Sequence, residues 1–232
     1  VGIDITQNHI GLLLADLAGT ILKYDRAYFP FRKTRDYFEE VSGKLEEFLT
    51  NAAAGRERIL GIGISFPGIV NLQKQEITNS HALGISALSF ADVSGCFAYP
   101  CFFLNDANAG AYAEGVHSEK TGSFFYLSLS NTVGGAIFHE GQLMQGREFR
   151  CGEAGHMTVV PDGRACYCGK SGCLDAYCSA KCLSEPAGGR LEDFFAGLER
   201  GETEFVGAWE EYVKYLSIAV NNLHMVLDCD IV

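Results

Sequence analysis

Glu153-Ala154-Gly155-His156, nine residues, then Cys166-Tyr167-Cys168-Gly169-Lys170-Ser171-Gly172-Cys173 is the stretch on which the reading of this chain turns. His156, Cys166, Cys168 and Cys173 supply one imidazole and three thiols, a complete tetrahedral shell for zinc. A complete shell leaves no position for a water, so the metal expected here is structural, not catalytic. Cys166 and Cys168 stand too close in sequence for a relaxed disulfide, and Gly169 and Gly172 let the chain wrap round an ion. The alternative is a loop of free or disulfide-bonded cysteines.

The bulk of the sequence is consistent with a folded domain around such a knot. The 232 residues suffice for one large domain or two small ones, with 47% hydrophobic and 20% charged residues. No apolar run approaches the ~18 residues of a membrane span. A net charge of −11 sets this stretch against direct contact with nucleic acid. Of the nine cysteines, Cys96, Cys101, Cys151, Cys178, Cys182 and Cys229 lie outside the ligand set and are dispersed. They are expected to be mostly reduced, as in a cytoplasmic protein, and no signal-peptide pattern is present. Val1 already sits in a strand-like run, and Leu227 to Val232 reads as the start of another strand, so a piece of a longer protein is expected.

Outward from the cysteines, one pattern occurs twice. Gly2–Ile5, Ile10–Ala15 and Thr20–Tyr28 read as strands joined by turns. Phe124–Ser130, Val133–Phe138 and the run from Gln142 repeat the arrangement. Apolar residues three and four apart predict helices over 36–54 and 204–227, with a further helix over 107–117. In the last long helix Trp209, Tyr212, Val213, Leu216, Val220, Leu223 and Leu227 form one stripe, expected to face the core. Ile59–Phe66 and Cys101–Leu104 read as buried strands, and residues 184–190 as a loop. The expected class is α/β with two similar lobes, 1–106 and 107–232, the second carrying the metal site, and a ligand cleft between them.

Several polar residues stand where such folds bind ligands. Asn105-Asp106 opens a helix directly after a strand, and open α/β sheets bind ligands at strand carboxyl ends. The pair suits adjacent sugar hydroxyls, and Asp106 is able to take a proton; both residues are equally at home as helix caps. Glu153 and Asp175 flank the metal set and are either ligand contacts or solvated carboxylates. Ser65-Phe66-Pro67-Gly68 is either a backbone approach to a ligand or an ordinary turn.

Together these segments resemble the ROK family of repressors and sugar kinases, over essentially the whole chain. The family signature Gly-Glu-x-Gly-His, then Cys-x-Cys-Gly-x-x-Gly-Cys-x-Glu, is matched by Gly152 to His156 and Cys166 to Asp175, with Asp175 in place of the last Glu. Phe66-Pro67-Gly68 and Asn105-Asp106-Ala107-Asn108 match two further segments. The resemblance implies an actin-like, hexokinase-type (ribonuclease H-like) two-lobed fold. It implies sugar contacts from Asn105, Asp106, Glu153, His156 and Asp175, with Gly68 and Asn79 at the rim, and places Asp106 where the kinases keep their catalytic base. His156 serves both as metal ligand and as sugar contact, and Asp175 is one methylene shorter than the Glu it replaces.

Two departures bear on activity. Where family kinases hold phosphates with Asp-x-Gly-Gly-Thr, this chain reads Asp4-Ile5-Thr6-Gln7-Asn8. Where they use Gly-Thr-Gly-x-Gly-Gly, it reads Ser130-Asn131-Thr132-Val133-Gly134-Gly135. Cradling a phosphate requires close approach of backbone N–H groups, which Thr6, Gln7 and Asn131 obstruct. The expectation is therefore the effector domain of a ROK-type regulator. Such a domain binds a sugar or sugar phosphate, carries a structural zinc, forms a homodimer, and reaches DNA only through a helix-turn-helix upstream of this chain. The alternative is an ATP-dependent sugar kinase using Asp106 as base.

Overall fold

The helix Arg35–Asn51 (α1) organises the first part of the chain because its apolar residues fall on one face. Tyr37, Phe38, Val41, Leu45, Phe48 and Leu49 are all buried. Thr34 caps it, its hydroxyl accepting from the Tyr37 N–H at 3.3 Å, and Asp36 sits in the first turn, where the helix dipole favours an anion. This computed structural model describes residues 1–52, 54–117 and 122–232. The chain divides into two units, Val1–Ala109 and Gly110–Val232.

In the first unit, β1 (Gly2–Ile5), β2 (His9–Ala15) and β3 (Ile21–Tyr28) form an antiparallel meander. β4 (Ile62–Phe66) lies parallel to β1, Gly2 opposite Gly63, giving Asp4 the register of Ser65. Two short strands and a third, β5 (Ile69–Asn71), β6 (Glu76–Asn79) and β7 (Leu88–Ser89), make a small antiparallel sheet that was not anticipated from sequence, because strands of two to four residues carry no measurable period. The helix α2 (Phe90–Ser94) follows, then β8 (Cys101–Asn105) and the first turn of α3 (Asp106–His117), whose remainder belongs to the second unit. The main sheet has the order β3-β2-β1-β4-β8.

The period of two decides what each face does. Ile3 and Ile5 of β1, and Ile62, Ile64 and Phe66 of β4, are buried in one cluster with the α1 residues. Asp4 and Ser65 point to the other face, where the Ser65 hydroxyl donates to the Asp4 carboxylate at 2.6 Å.

The second unit repeats the meander. β9 (Phe124–Leu129), β10 (Val133–His139) and β11 (Gln142–Met144) form an antiparallel meander in the order β11-β10-β9. Ile231 lies in parallel register against Phe124, and the Phe125 N–H donates to the Ile231 carbonyl at 2.9 Å. Between them come a 3₁₀ turn at Ala154–His156, α4 (Asp175–Cys178), α5 (Ala180–Ser184), α6 (Leu191–Glu199) and α7 (Thr203–Leu227). The core joins Val133, Leu174, Tyr177 and Cys178 to Leu183, Phe194, Tyr212 and Ala219.

Three local expectations are corrected. The helix expected over 36–54 stops at Asn51, where the Ala52 N–H turns back to Phe48 and Leu49. Residues 184–190 are not simply a loop: Ser184 ends α5 and Glu185–Ala187 form a 3₁₀ turn, which two glycines in the left-handed region then terminate. Val213 does not face the core: it is exposed, whereas Tyr212, Ala219 and Leu223 carry the buried stripe of α7. No helix among the described residues is long and apolar enough to cross a membrane.

Leu45 is 1% exposed at the centre of the first core. Leu45→Ala should lower stability by about 2–5 kcal/mol, read as a shift in the urea midpoint with unchanged slope.

Candidate functional site

The expected site residues fall into two groups, one in each unit. In the first, β8 delivers Asn105 and α3 begins at Asp106. The Asn105 side-chain oxygen accepts from the Asn108 N–H at 3.0 Å, so Asn105 does act as a helix cap. Its amide group also donates to the Gly68 carbonyl at 2.9 Å and to the Asp106 carboxylate at 3.0 Å. Capping therefore does not compete with a site role: one side chain positions the Pro-Gly turn and the exposed Asp106 together. Gly68 has φ of +126°, and a Cβ there would run into the Asn79 carbonyl and the Ser80 backbone. Only glycine permits this approach, and it places the turn against the end of β6. The Asn79 amide lies 3.2 Å from Nε2 of His81. Gly68, Asn79, Asn105 and Asp106 thus form one contiguous polar edge.

In the second unit the segment Gly152–Gly155 lies directly on the backbone of β10. A Cβ at Gly152 would sit 2.7 Å from the Gly135 carbonyl oxygen, and one at Gly155 would fall on the Val133 carbonyl. This contact turns His156 toward the cysteines. Its Nδ1 lies 3.7 Å from the Cys166 sulfur, and the sulfurs of Cys168 and Cys173 are 3.7 Å apart. The four potential ligand atoms of His156, Cys166, Cys168 and Cys173 all lie within 4.8 Å of one another. That spacing fits a single ion with bonds of about 2.0–2.3 Å. All nine cysteines carry free thiols, so the disulfide alternative for this loop is not realised.

The knuckle is held by backbone contacts. The Cys166 N–H donates to the Lys170 carbonyl at 2.8 Å, and Thr158 bridges Cys173. The Lys170 ammonium donates to the His156 carbonyl at 2.7 Å. Burial pushes the Cys166 thiol up to about 12. Desolvation also raises Cys168, but the Lys170 N–H, the neighbouring thiols and the Lys170 charge outweigh it, so Cys168 lies below the ordinary range. On its other side His156 presents Nε2 to Glu153, 3.9 Å from a carboxylate oxygen. One ring nitrogen therefore faces the thiols and the other a carboxylate.

Asp175 stands apart from the exposed carboxylates. It is buried, 6% exposed, and accepts from the Val133 N–H at 2.6 Å. Burial raises its pKa, while the Val133 bond and the Lys181 charge pull it down. Its carboxyl thus ties the knuckle and α4 to the first residue of β10. Lys170 and Arg164 were missed in the sequence; their partners, His156 and Glu211, lie 14 and 47 positions away, beyond any local pattern.

The whole chain, residues 1–232, matches the model of the ROK family. The chain belongs to the ROK family. The xylose repressor of Bacillus spizizenii (strain ATCC 23059 / NRRL B-14472 / W23) is 30% identical over 187 residues, covering 79% of this chain and 48% of that protein. The glucokinase of Halalkalibacterium halodurans is 28% identical over 187 residues, covering 78% of this chain and 56% of that protein. The chain therefore spans about half the length of the curated relatives it matches. Its fold is that of the ROK family glucokinase from Streptomyces griseus in complex with glucose and AMPPNP, with a TM-score of 0.81 at 22% identity, covering 98% of this chain and 80% of that one. This ROK chain has relatives in both branches, repressors and sugar kinases, and an α/β fold of the ROK type.

Thiols must lose protons to bind a metal, so affinity should rise with pH and metal should be released on acidification. Calorimetry of Zn²⁺ binding at pH 7.5 in two buffers of different ionisation enthalpy should give release of about two to three protons per ion. A value near zero would show that the thiols are not the ligands.

Proposed function

We propose that this chain is the sugar-sensing effector region of a ROK-type transcriptional regulator. The observation that carries the reading is how the two hairpin turns spend their own donors. The Thr6 N–H donates to the His9 carbonyl at 2.9 Å, and the Thr6 hydroxyl accepts from the His9 N–H at 3.0 Å. At the second turn the Ser130 N–H donates to the Thr132 carbonyl at 3.3 Å, and the Val133 N–H is taken by the Asp175 carboxylate. A phosphate needs free N–H groups converging on it. Here it would meet a closed turn at one hairpin, and bulky Asn131 with a buried carboxylate at the other. Phosphoryl transfer depends almost wholly on positioning and charge stabilisation, so neither hairpin supports it.

The residues that the family resemblance assigns to the sugar are present by contrast, with Asp175 in place of Glu. We assign Gly68, Asn79, Asn105 and Asp106 in the first unit, and Glu153, His156 and Asp175 in the second, to recognition of a sugar or sugar phosphate. Asp106 and Glu153 supply acceptors for hydroxyls, Asn105 holds the Asp106 carboxylate and the Gly68 turn in place, and Asp175 acts through Val133. Zinc is the ion assigned to His156, Cys166, Cys168 and Cys173, since three thiolates and an imidazole form a closed shell for it. It would hold the His156 ring in place, its chemistry confined to cross-linking the chain. We further assign a homodimer, with DNA contacted only through a helix-turn-helix outside this acidic chain. A sugar works such a switch only by binding its two conformations with different affinity.

The competing reading is a sugar kinase with Asp106 as base, which the Asn105–Asp106 contact and the glucokinase relative favour. Titration calorimetry against aldoses, amino sugars and sugar 6-phosphates, with and without ATP and magnesium, separates the two. Sugar binding without ATP binding is expected, and Glu153→Gln or Asp106→Asn should weaken it about ten- to a hundredfold, the loss of one charge-assisted hydrogen bond. Sugar-dependent ADP release that disappears in Asp106→Asn would replace the sensor with the kinase.

A further inference from the structure

One residue joins the cysteine knuckle to the longest helix of the second unit. Arg164 precedes Cys166 by two positions. Its carbonyl accepts from the Gly172 N–H at 2.8 Å, which closes the loop just before Cys173. Its own N–H donates to the Tyr177 hydroxyl at 2.8 Å. Its guanidinium lies over the Tyr177 ring, 4.6 Å from the centroid, and donates to Glu211 on α7 at 2.6 Å. Tyr177 in turn meets Tyr215 of α7, with ring centroids 4.5 Å apart.

Glu211 and Tyr215 are four positions apart and share one face of α7. Arg164 therefore touches the knuckle through its backbone and α7 through its side chain, with Tyr177 clasped between. The Arg164–Glu211 pair is partly exposed, and an isolated pair of that kind contributes little to stability. What distinguishes it is convergence: the planar guanidinium is stacked on one partner and bonded to another while its backbone is pinned to the metal loop.

We propose that Arg164 is a positioning residue that couples the state of the metal knuckle to the order of α7. The inference rests on the metal reading above. With the ion in place, the loop from Cys166 to Cys173 is cross-linked and Arg164 is held at a fixed distance from Glu211. With the ion removed, the loop loses its cross-link, Arg164 loses its anchor, and the middle turns of α7 open more often.

Hydrogen–deuterium exchange of the full chain, with Zn²⁺ bound and after chelation, tests this directly. In the unmodified chain, chelation should speed exchange in peptides spanning 208–216 by roughly tenfold or more. In Arg164→Ala, and in the milder Glu211→Gln, those peptides should exchange fast in both states. Both variants should still bind Co²⁺, with thiolate-to-cobalt absorption and an affinity within about threefold of the unmodified chain, since the ligands are untouched. Arg164→Lys keeps the charge but not the fork, and should restore only part of the response. An α7 response in the variants equal to that of the unmodified chain would overturn the coupling while leaving the metal site standing. Failure of the unmodified chain to bind either ion would sink the metal reading and the coupling together.

Discussion

The second unit depends on the laying of one bare backbone on another. Gly152 and Gly155 have no side chains to hold the segment off β10, so the chain runs within van der Waals contact of Val133, Gly135 and Ala136. From that contact His156 follows on a single 3₁₀ turn, its Nδ1 toward the thiols and its Nε2 toward Glu153. A methyl group at either glycine would collide with the β10 backbone, at the Gly135 or the Val133 carbonyl. The two-sided setting of the ring, thiols beside one nitrogen and a carboxylate beside the other, is thus a consequence of close packing, not of the histidine itself.

The first unit solves a related problem with an amide. Asn105 could have spent its side chain wholly on the helix start. Because it caps with its oxygen and donates with its nitrogen, it fixes the Gly68 carbonyl and the Asp106 carboxylate at the same time. Neither of the two readings of this pair, cap or ligand contact, excluded the other. An Asp at 105 would cap as well but would set a second negative charge beside Asp106 and leave the Gly68 carbonyl without its donor.

Long elements were legible because their periods are long enough to measure. The α1 stripe and the two meanders follow from three-four spacing, alternation and turn residues in the sequence, and β4 and β8 from short apolar runs, their parallel pairing coming only from the structure. The sheet of β5, β6 and β7 did not, since its strands run three, four and two residues. Val213 was misread for a different reason: an apolar residue one step from a stripe looks like core, and only the neighbours of α7 decide which flank is covered. The cluster of His156, Cys166, Cys168 and Cys173 was legible as a set because three of the four lie within eight residues and their chemistry is distinctive. Asp175 was placed among the sugar contacts by its position in the motif, while its bond to Val133, across 42 positions, had no local trace.

By itself the sequence determined the family, the α/β class, the grouping of His156 with Cys166, Cys168 and Cys173, and the departure of both hairpin turns from glycine. These are properties of residue type and spacing along the chain, which need no partner to be read. Tertiary structure alone decided where each hydrogen-bonding group is spent: the Val133 N–H on Asp175, the Asn105 amide on Gly68, and the Arg164 guanidinium on Glu211 and Tyr177. The physical reason is that a donor takes whatever acceptor folding brings within about 3 Å, and that distance is set by packing between segments far apart in sequence.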